Sequence, residues 1–106
     1  DQHACALAAT AVQQMQAIDG LQLYRPPHAS TIIAFNVAGL HHGDLATLLA
    51  EQGIALRAGI HCAQPLTEAL GVSGTVRVSF APYNSEADVS AFISALQRAV
   101  ALLREE

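Results

Sequence analysis

Lysine is absent from this chain: all five basic residues are arginines, at positions 25, 57, 77, 98 and 104. No side-chain amine is therefore available to hold a carbonyl cofactor covalently, or to reach a nucleotide phosphate as the lysine of a phosphate-binding loop does. The arginines are scattered and the formal net charge is -4, which excludes a basic nucleic-acid surface or an anionic-membrane surface. No apolar run approaches the roughly 18 residues that a membrane span requires. Two cysteines, Cys5 and Cys62, do not make a disulfide framework, and a reducing cytoplasm is the expected setting. A signal-peptide pattern is missing too. The only methionine, Met15, sits inside a helical pattern that begins almost at once in "DQHACALAATAV". The expectation is a piece of a longer protein.

What is present is enough for one folded domain over residues 1–106. Hydrophobic residues make up 52% of the chain, far above a disordered segment. Ala4, Leu7, Ala8, Ala11, Val12, Met15 and Ile18 recur at helical spacing, and Asp19-Gly20 supplies a stop. "LQLY" (21–24) and "TIIAFNV" (31–37) read as strands. Leu45, Leu48 and Leu49 mark a helix over 44–52, with Gly53 as its cap. A third strand is expected at 54–58, then a loop, one helical turn at 65–70, and a cleanly alternating strand at 75–80. Ser85 with Asp88 three residues on signals the start of a last helix, which carries Val89, Phe92, Ile93, Leu96, Val100 and Leu103 on one face. The order α-β-β-α-β-β-α predicts an α/β (α+β) two-layer sandwich: a mostly antiparallel four-stranded sheet with its helices on one face.

Alternation then places the arginines. Val76, Val78 and Phe80 share the face expected under the helices, so Arg77 shares the opposite face with Thr75 and Ser79. The same count puts Arg57 on Arg77's side, away from Ile54, Leu56 and Ala58. Two guanidinium groups there would grip a carboxylate, although for an isolated domain two solvated surface arginines are the commoner case. Cys62 lies in "LRAGIHCAQPL" (56–66), between His61 and Ala63 on an expected loop. A thiol beside cations is a candidate nucleophile, although free cysteines are more often buried and inert. Cys5, on a packed helix, fits the inert case. His41, His42, His61 and Cys62 are metal-ligand types, but two adjacent pairs are not zinc spacing, so no metal site is expected. His41-His42 is expected instead in a loop that caps the next helix.

The stretches "AFNVAGLHHGDLATLLAEQGIALRAGIHCAQPL" and "GVSGTVRVSFAPYNSEADV" resemble the C-terminal part of group II cysteine desulfurases and selenocysteine lyases. These are class V aminotransferases of the fold-type I pyridoxal-phosphate enzymes, and the likeness is strongest to the cysteine sulfinate desulfinase (CsdA-type) branch. It runs over residues 20–104, and the motif R-x-G-x-H-C-x-x-P is its most specific element. The resemblance implies that Cys62 is the catalytic cysteine, which takes sulfur from L-cysteine or a related amino acid as a persulfide and leaves alanine. It implies that Arg77 clamps the substrate carboxylate, that Arg57 sits at the base of the cysteine loop, and that His61 supports that loop. Pyridoxal 5'-phosphate is implied for the whole enzyme, but its lysine is not in this chain. The chain is thus expected to be the small domain, inactive without a large cofactor-binding domain. A homodimer, a SufE/CsdE-type sulfur acceptor and a role in iron–sulfur cluster assembly are implied as well. Ile60 stands where relatives often carry a polar residue.

Two other classes of function fit the same residues. A stand-alone sulfur carrier would exchange persulfide through Cys62 without any cofactor. An amino-acid-binding regulatory domain would bind carboxylates with Cys62 dispensable.

Overall fold

The computed structural model describes residues 2–24, 31–53, 59–63 and 75–105. Along the chain these form α1 (Gln2–Met15), β1 (Leu21–Tyr24), β2 (Ile32–Val37), α2 (His42–Glu51), β3 (Gly59–Ala63), β4 (Thr75–Ser79) and α3 (Glu86–Arg104). The four strands make one sheet in the order β1-β2-β4-β3, and every neighbouring pair is antiparallel. The expected sandwich is present, with β3 as an edge strand.

The layers follow from alternation. Ile33, Phe35 and Val37 of β2 are buried, as are Val76 and Val78 of β4 and Phe80 just after it. They meet the apolar stripes of α1 (Leu7, Ala8, Ala11, Met15), α2 (Leu45, Leu49) and α3 (Val89, Phe92, Leu96, Ala99) in one core. Phe92 holds its centre, with its ring edge-on to Phe35 at 6.1 Å and to Phe80 at 6.2 Å. Such pairs add about 0.5–1.5 kcal/mol each beyond the area they bury.

Polar side chains tie the helix ends together. Gln52, after α2, donates from Nε2 to the carbonyls of Leu48 and Ala95, while its Oε1 accepts from Nε of Arg98 at 2.8 Å. Arg104 donates to the carbonyl of Asp19 at 2.6 Å, which fixes the end of α3 against the turn into β1. Gly20 in that turn has φ +82°, and a Cβ there would stand 2.8 Å from Nη2 of Arg104. The positive φ favours glycine there, and a larger residue would also have to displace the end of the Arg104 side chain. At the start of α3 the expected cap forms: the Asp88 carboxylate accepts from the backbone N–H of Ser85 at 2.9 Å.

One element differs from expectation. The strand described in the third position is Gly59–Ala63, the stretch that reads as a loop. Its five residues, "GIHCA", show neither a β-branched run nor an apolar alternation, because an edge strand draws its order from the ladder to its one neighbour. The strand expected at 54–58 and the helical turn expected at 65–70 lie outside the described residues. Among the described residues, no helix is long and apolar enough to cross a membrane.

Candidate functional site

The helices cover one face of the sheet, and the other face presents a row of four register positions. Tyr24 pairs with Ala34, Ala34 with Arg77, and Arg77 with His61. Directly opposed residues of an antiparallel pair share a face. Arg77 is flanked on both sides in β4 by buried Val76 and Val78, so it belongs to the face away from the helices. Its neighbour toward β1 is only an alanine. Two strand spacings of about 4.8 Å separate Arg77 from Tyr24, and Ala34 forms the floor between them. Tyr24 is half-buried, and its hydroxyl donates to Oε1 of Gln22 at 3.2 Å.

Arg77 differs from the other two described arginines. Arg98 and Arg104 each donate to an acceptor. Arg77 is half-buried, and its Nε is buried without a hydrogen-bond partner among the described residues. A buried donor left unsatisfied costs about 1–3 kcal/mol. Folding thus leaves a cationic donor, on the face away from the described helices, for which the described residues provide no acceptor.

Cys62 is on strand β3 rather than on a loop, opposite Val76, and His61 beside it is opposite Arg77. By the same rule the register position of Cys62 shares Val76's helix-covered face, opposite to that of Arg77, so the ladder joins the two strands without setting these two positions on one face. Arg57 lies outside the described residues. Cys5 is a free, partly exposed cysteine on α1, less enclosed than its helical pattern predicts.

The remaining histidines have structural work. His41 is the N-cap of α2: its Nδ1 accepts from the backbone N–H of Gly43 at 3.0 Å. His42 stacks on it with ring centroids 4.3 Å apart. Nε2 of His3 lies 2.8 Å from the carbonyl oxygen of Asn84. Among the described residues, no group of three or more metal-ligating side chains comes together.

Sequence reasoning missed Tyr24, Ala34 and Asn84. The first two become neighbours of Arg77 only through strand register, which depends on turns that carry no register signal of their own. Asn84 is buried. Its Oδ1 accepts from the N–H of Ala81 at 2.7 Å and its Nδ2 donates to Asp88 at 3.1 Å. "APYNS" just before the helix carried that signal, since asparagine caps turns through its side chain.

Comparison with known proteins agrees with this architecture. Residues 1–92 match the class-V aminotransferase family. The chain is 62% identical over 74 residues to the cysteine desulfurase CsdA of Escherichia coli (strain K12), covering 70% of this chain and 18% of that protein. It is 52% identical over 103 residues to a probable cysteine desulfurase of Pasteurella multocida (strain Pm70), covering 97% and 24%. Among solved structures, the crystal structure of Escherichia coli CsdA superposes with a TM-score of 0.85 at 40% identity, over 96% of this chain and 25% of that one. The apo cysteine desulfurase of Thermococcus onnurineus NA1 gives 0.80 at 26% identity, over 99% and 26%. The chain spans about a quarter of the length of most of these relatives, and less of CsdA in the sequence match. With a family match over most of its length and the fold of two of its solved members, this chain belongs to the class-V aminotransferase family.

Proposed function

We propose that this chain supplies the sulfur-accepting cysteine and the carboxylate-binding arginine of a pyridoxal-phosphate-dependent cysteine desulfurase. The observation that carries the proposal is Arg77: a guanidinium whose buried Nε has no partner among the described residues, on the strand that pairs with the strand of Cys62. A planar guanidinium matches a carboxylate through two parallel N–H···O bonds. The amino-acid carboxylate is the acceptor that Arg77 lacks, and fixing it would orient the substrate sulfur.

Cys62 then acts as a thiolate nucleophile. Its Sγ forms a bond to the substrate sulfur as the Cβ–S bond of the substrate breaks. The electron pair of that bond goes to Cβ, and a proton completes the methyl group of alanine. One cysteine and one Cys62 thiol become alanine and a Cys62 persulfide. Arg57 is the second substrate-binding residue of the proposal, at the base of this stretch, and His61 supports the stretch. The residues present do not fit the cofactor, because no lysine is available to hold it. Its binding belongs to the part of the enzyme that this chain does not include. A sulfur acceptor of the SufE/CsdE type, a homodimer and a cytoplasmic setting belong to the same proposal, as the sequence resemblance implies.

The test uses the full-length desulfurase. After incubation with cysteine, Cys62 should gain one sulfur atom by mass, and Cys62→Ser should form no persulfide while still binding pyridoxal phosphate. Persulfide transfer by the 106-residue chain alone would favour the sulfur-carrier reading. Undiminished alanine release by Cys62→Ser would overturn the assignment of the nucleophile.

A further inference from the structure

Beyond Arg77, the most exposed large hydrophobic side chain among the described residues is Tyr83, at 83%. It sits in the turn at residues 81–84, which leads from the strand of Arg77 into α3. That turn is not loose. The backbone N–H of Asn84 donates to the carbonyl of Ala81 at 3.0 Å, and the side chain of Asn84 closes the same loop in the other direction through the N–H of Ala81. Asn84 is further held by Asp88 of α3, and its carbonyl lies within hydrogen-bond distance of His3 on α1. Its side chain is 4% exposed. Ile32, 41% exposed, opposes Ser79 at the same end of the sheet, and the N–H of Phe80 donates to the carbonyl of Thr31 there. Two of the three exposed large hydrophobics among the described residues thus flank one strand end.

An aromatic ring on a backbone already fixed by hydrogen bonds loses little conformational freedom when it docks, and tyrosine is a preferred anchor at such contacts. From this arrangement we infer that Tyr83 anchors the domain to the remainder of the full-length enzyme. The relatives supply the occupant: about three-quarters of their length lies outside the stretch this chain matches. The turn stands at the end of the strand whose arginine would have to face that remainder. This inference rests on the proposed desulfurase reading and adds a contact to it. Holding the end of β4 would set the reach of Arg77 toward the bound substrate.

The experiment is tyrosine nitration of the full-length desulfurase with tetranitromethane, mapped by mass spectrometry and compared with the urea-unfolded protein. Tyr83 should be nitrated more slowly in the native enzyme by about tenfold or more, as for a ring excluded from water at the centre of a contact. That protection should not change with protein concentration. Tyr83→Phe should keep the native thermal midpoint, and Tyr83→Ala should lower it. Nitration of native Tyr83 at the unfolded rate would overturn the inference. Protection only at high protein concentration would assign the contact to a second copy, and protection only after adding a sulfur-acceptor protein would assign it to that protein; either result overturns the inference. Sulfur release from cysteine, measured on the same preparation, reports separately on the desulfurase reading.

Discussion

Replacing Arg77 with methionine should make the domain more stable while disabling the enzyme. Methionine keeps an unbranched apolar stem of similar reach and removes the guanidinium, whose Nε is buried and unpartnered. An unsatisfied buried donor costs about 1–3 kcal/mol. Arg77 is only half-buried, and its outer nitrogens are free to reach water, so the lower end of that range applies, about 1 kcal/mol. For a domain of this size that is a rise in thermal midpoint of about 4–8 °C. Urea unfolding of the 106-residue chain measures it directly: the midpoint should rise with the slope unchanged. In the full-length desulfurase the same substitution should remove the carboxylate's partner and cost about 2–5 kcal/mol, or about 30- to 5,000-fold in kcat/KM. Arg77→Lys separates charge from shape. It keeps the cation but cannot offer the planar fork, so most of the catalytic loss should remain. The reasoning fails if Arg77→Met destabilises the domain by more than about 1 kcal/mol, a result showing that Nε has a stabilising partner in solution.

Three further outcomes are expected. Phe92→Ala removes a fully buried ring that meets Phe35 and Phe80 and should cost about 3–5 kcal/mol in urea unfolding, whereas Tyr83→Ala in the same chain should cost almost nothing. Asn84→Ala leaves the N–H of Ala81 without its acceptor and should cost about 1–3 kcal/mol; Asn84→Asp should be no milder at neutral pH, because it sets a second carboxylate at the position now 3.1 Å from Asp88. Under limiting iodoacetamide Cys62 should be alkylated before Cys5, read by peptide mass mapping; preferential labelling of Cys5 would count against Cys62 as the nucleophile.

The legible parts of this fold are those where one residue's neighbours decide its state. The stripes of α1 and α3 and the alternation of β2 and β4 came through because each buries one face against a thick apolar core. The capping residues Ser85 and Asp88 were readable for a similar reason, since a cap is a contact three residues long. His41 was readable as a cap in outline, though not that its ring nitrogen would accept the bond. Strand β3 was not legible. Glycine, histidine and cysteine carry little strand preference, and the segment owes its conformation to a ladder with β4, whose own residues begin 12 positions beyond Ala63. Strand neighbours are fixed by register, and no local pattern announces which residue will lie across from Arg77. Its side was therefore readable from alternation, while its company of Ala34 and His61 was not.

That distinction bears on how a binding group is built into a sheet. Alternation alone commits a polar residue in a buried-faced strand to the opposite side, so the position of Arg77 costs the fold nothing to specify. Leaving its Nε unpaired is a different matter, because a mixed surface usually offers a carboxylate or carbonyl nearby. Here the register sets alanine on one side and a histidine position on the other, neither of which brings a carboxylate, while the acidic residues Glu86 and Asp88 occupy the first turn of α3. There they serve the helix N-terminus, where negative charge is favourable. Asp44 does the same for α2. These three acidic side chains serve helix starts, on the layer opposite Arg77. For these residues the two layers divide the polar work, and none of the three carboxylates lies across the ladder from Arg77. A substitution such as Ala34→Asp would end that division, satisfying Nε from within the chain. It should stabilise the domain and inhibit the full-length enzyme by occupying the fork that the substrate carboxylate needs. A stabilised domain whose full-length enzyme kept its KM for cysteine would show that the carboxylate is held elsewhere.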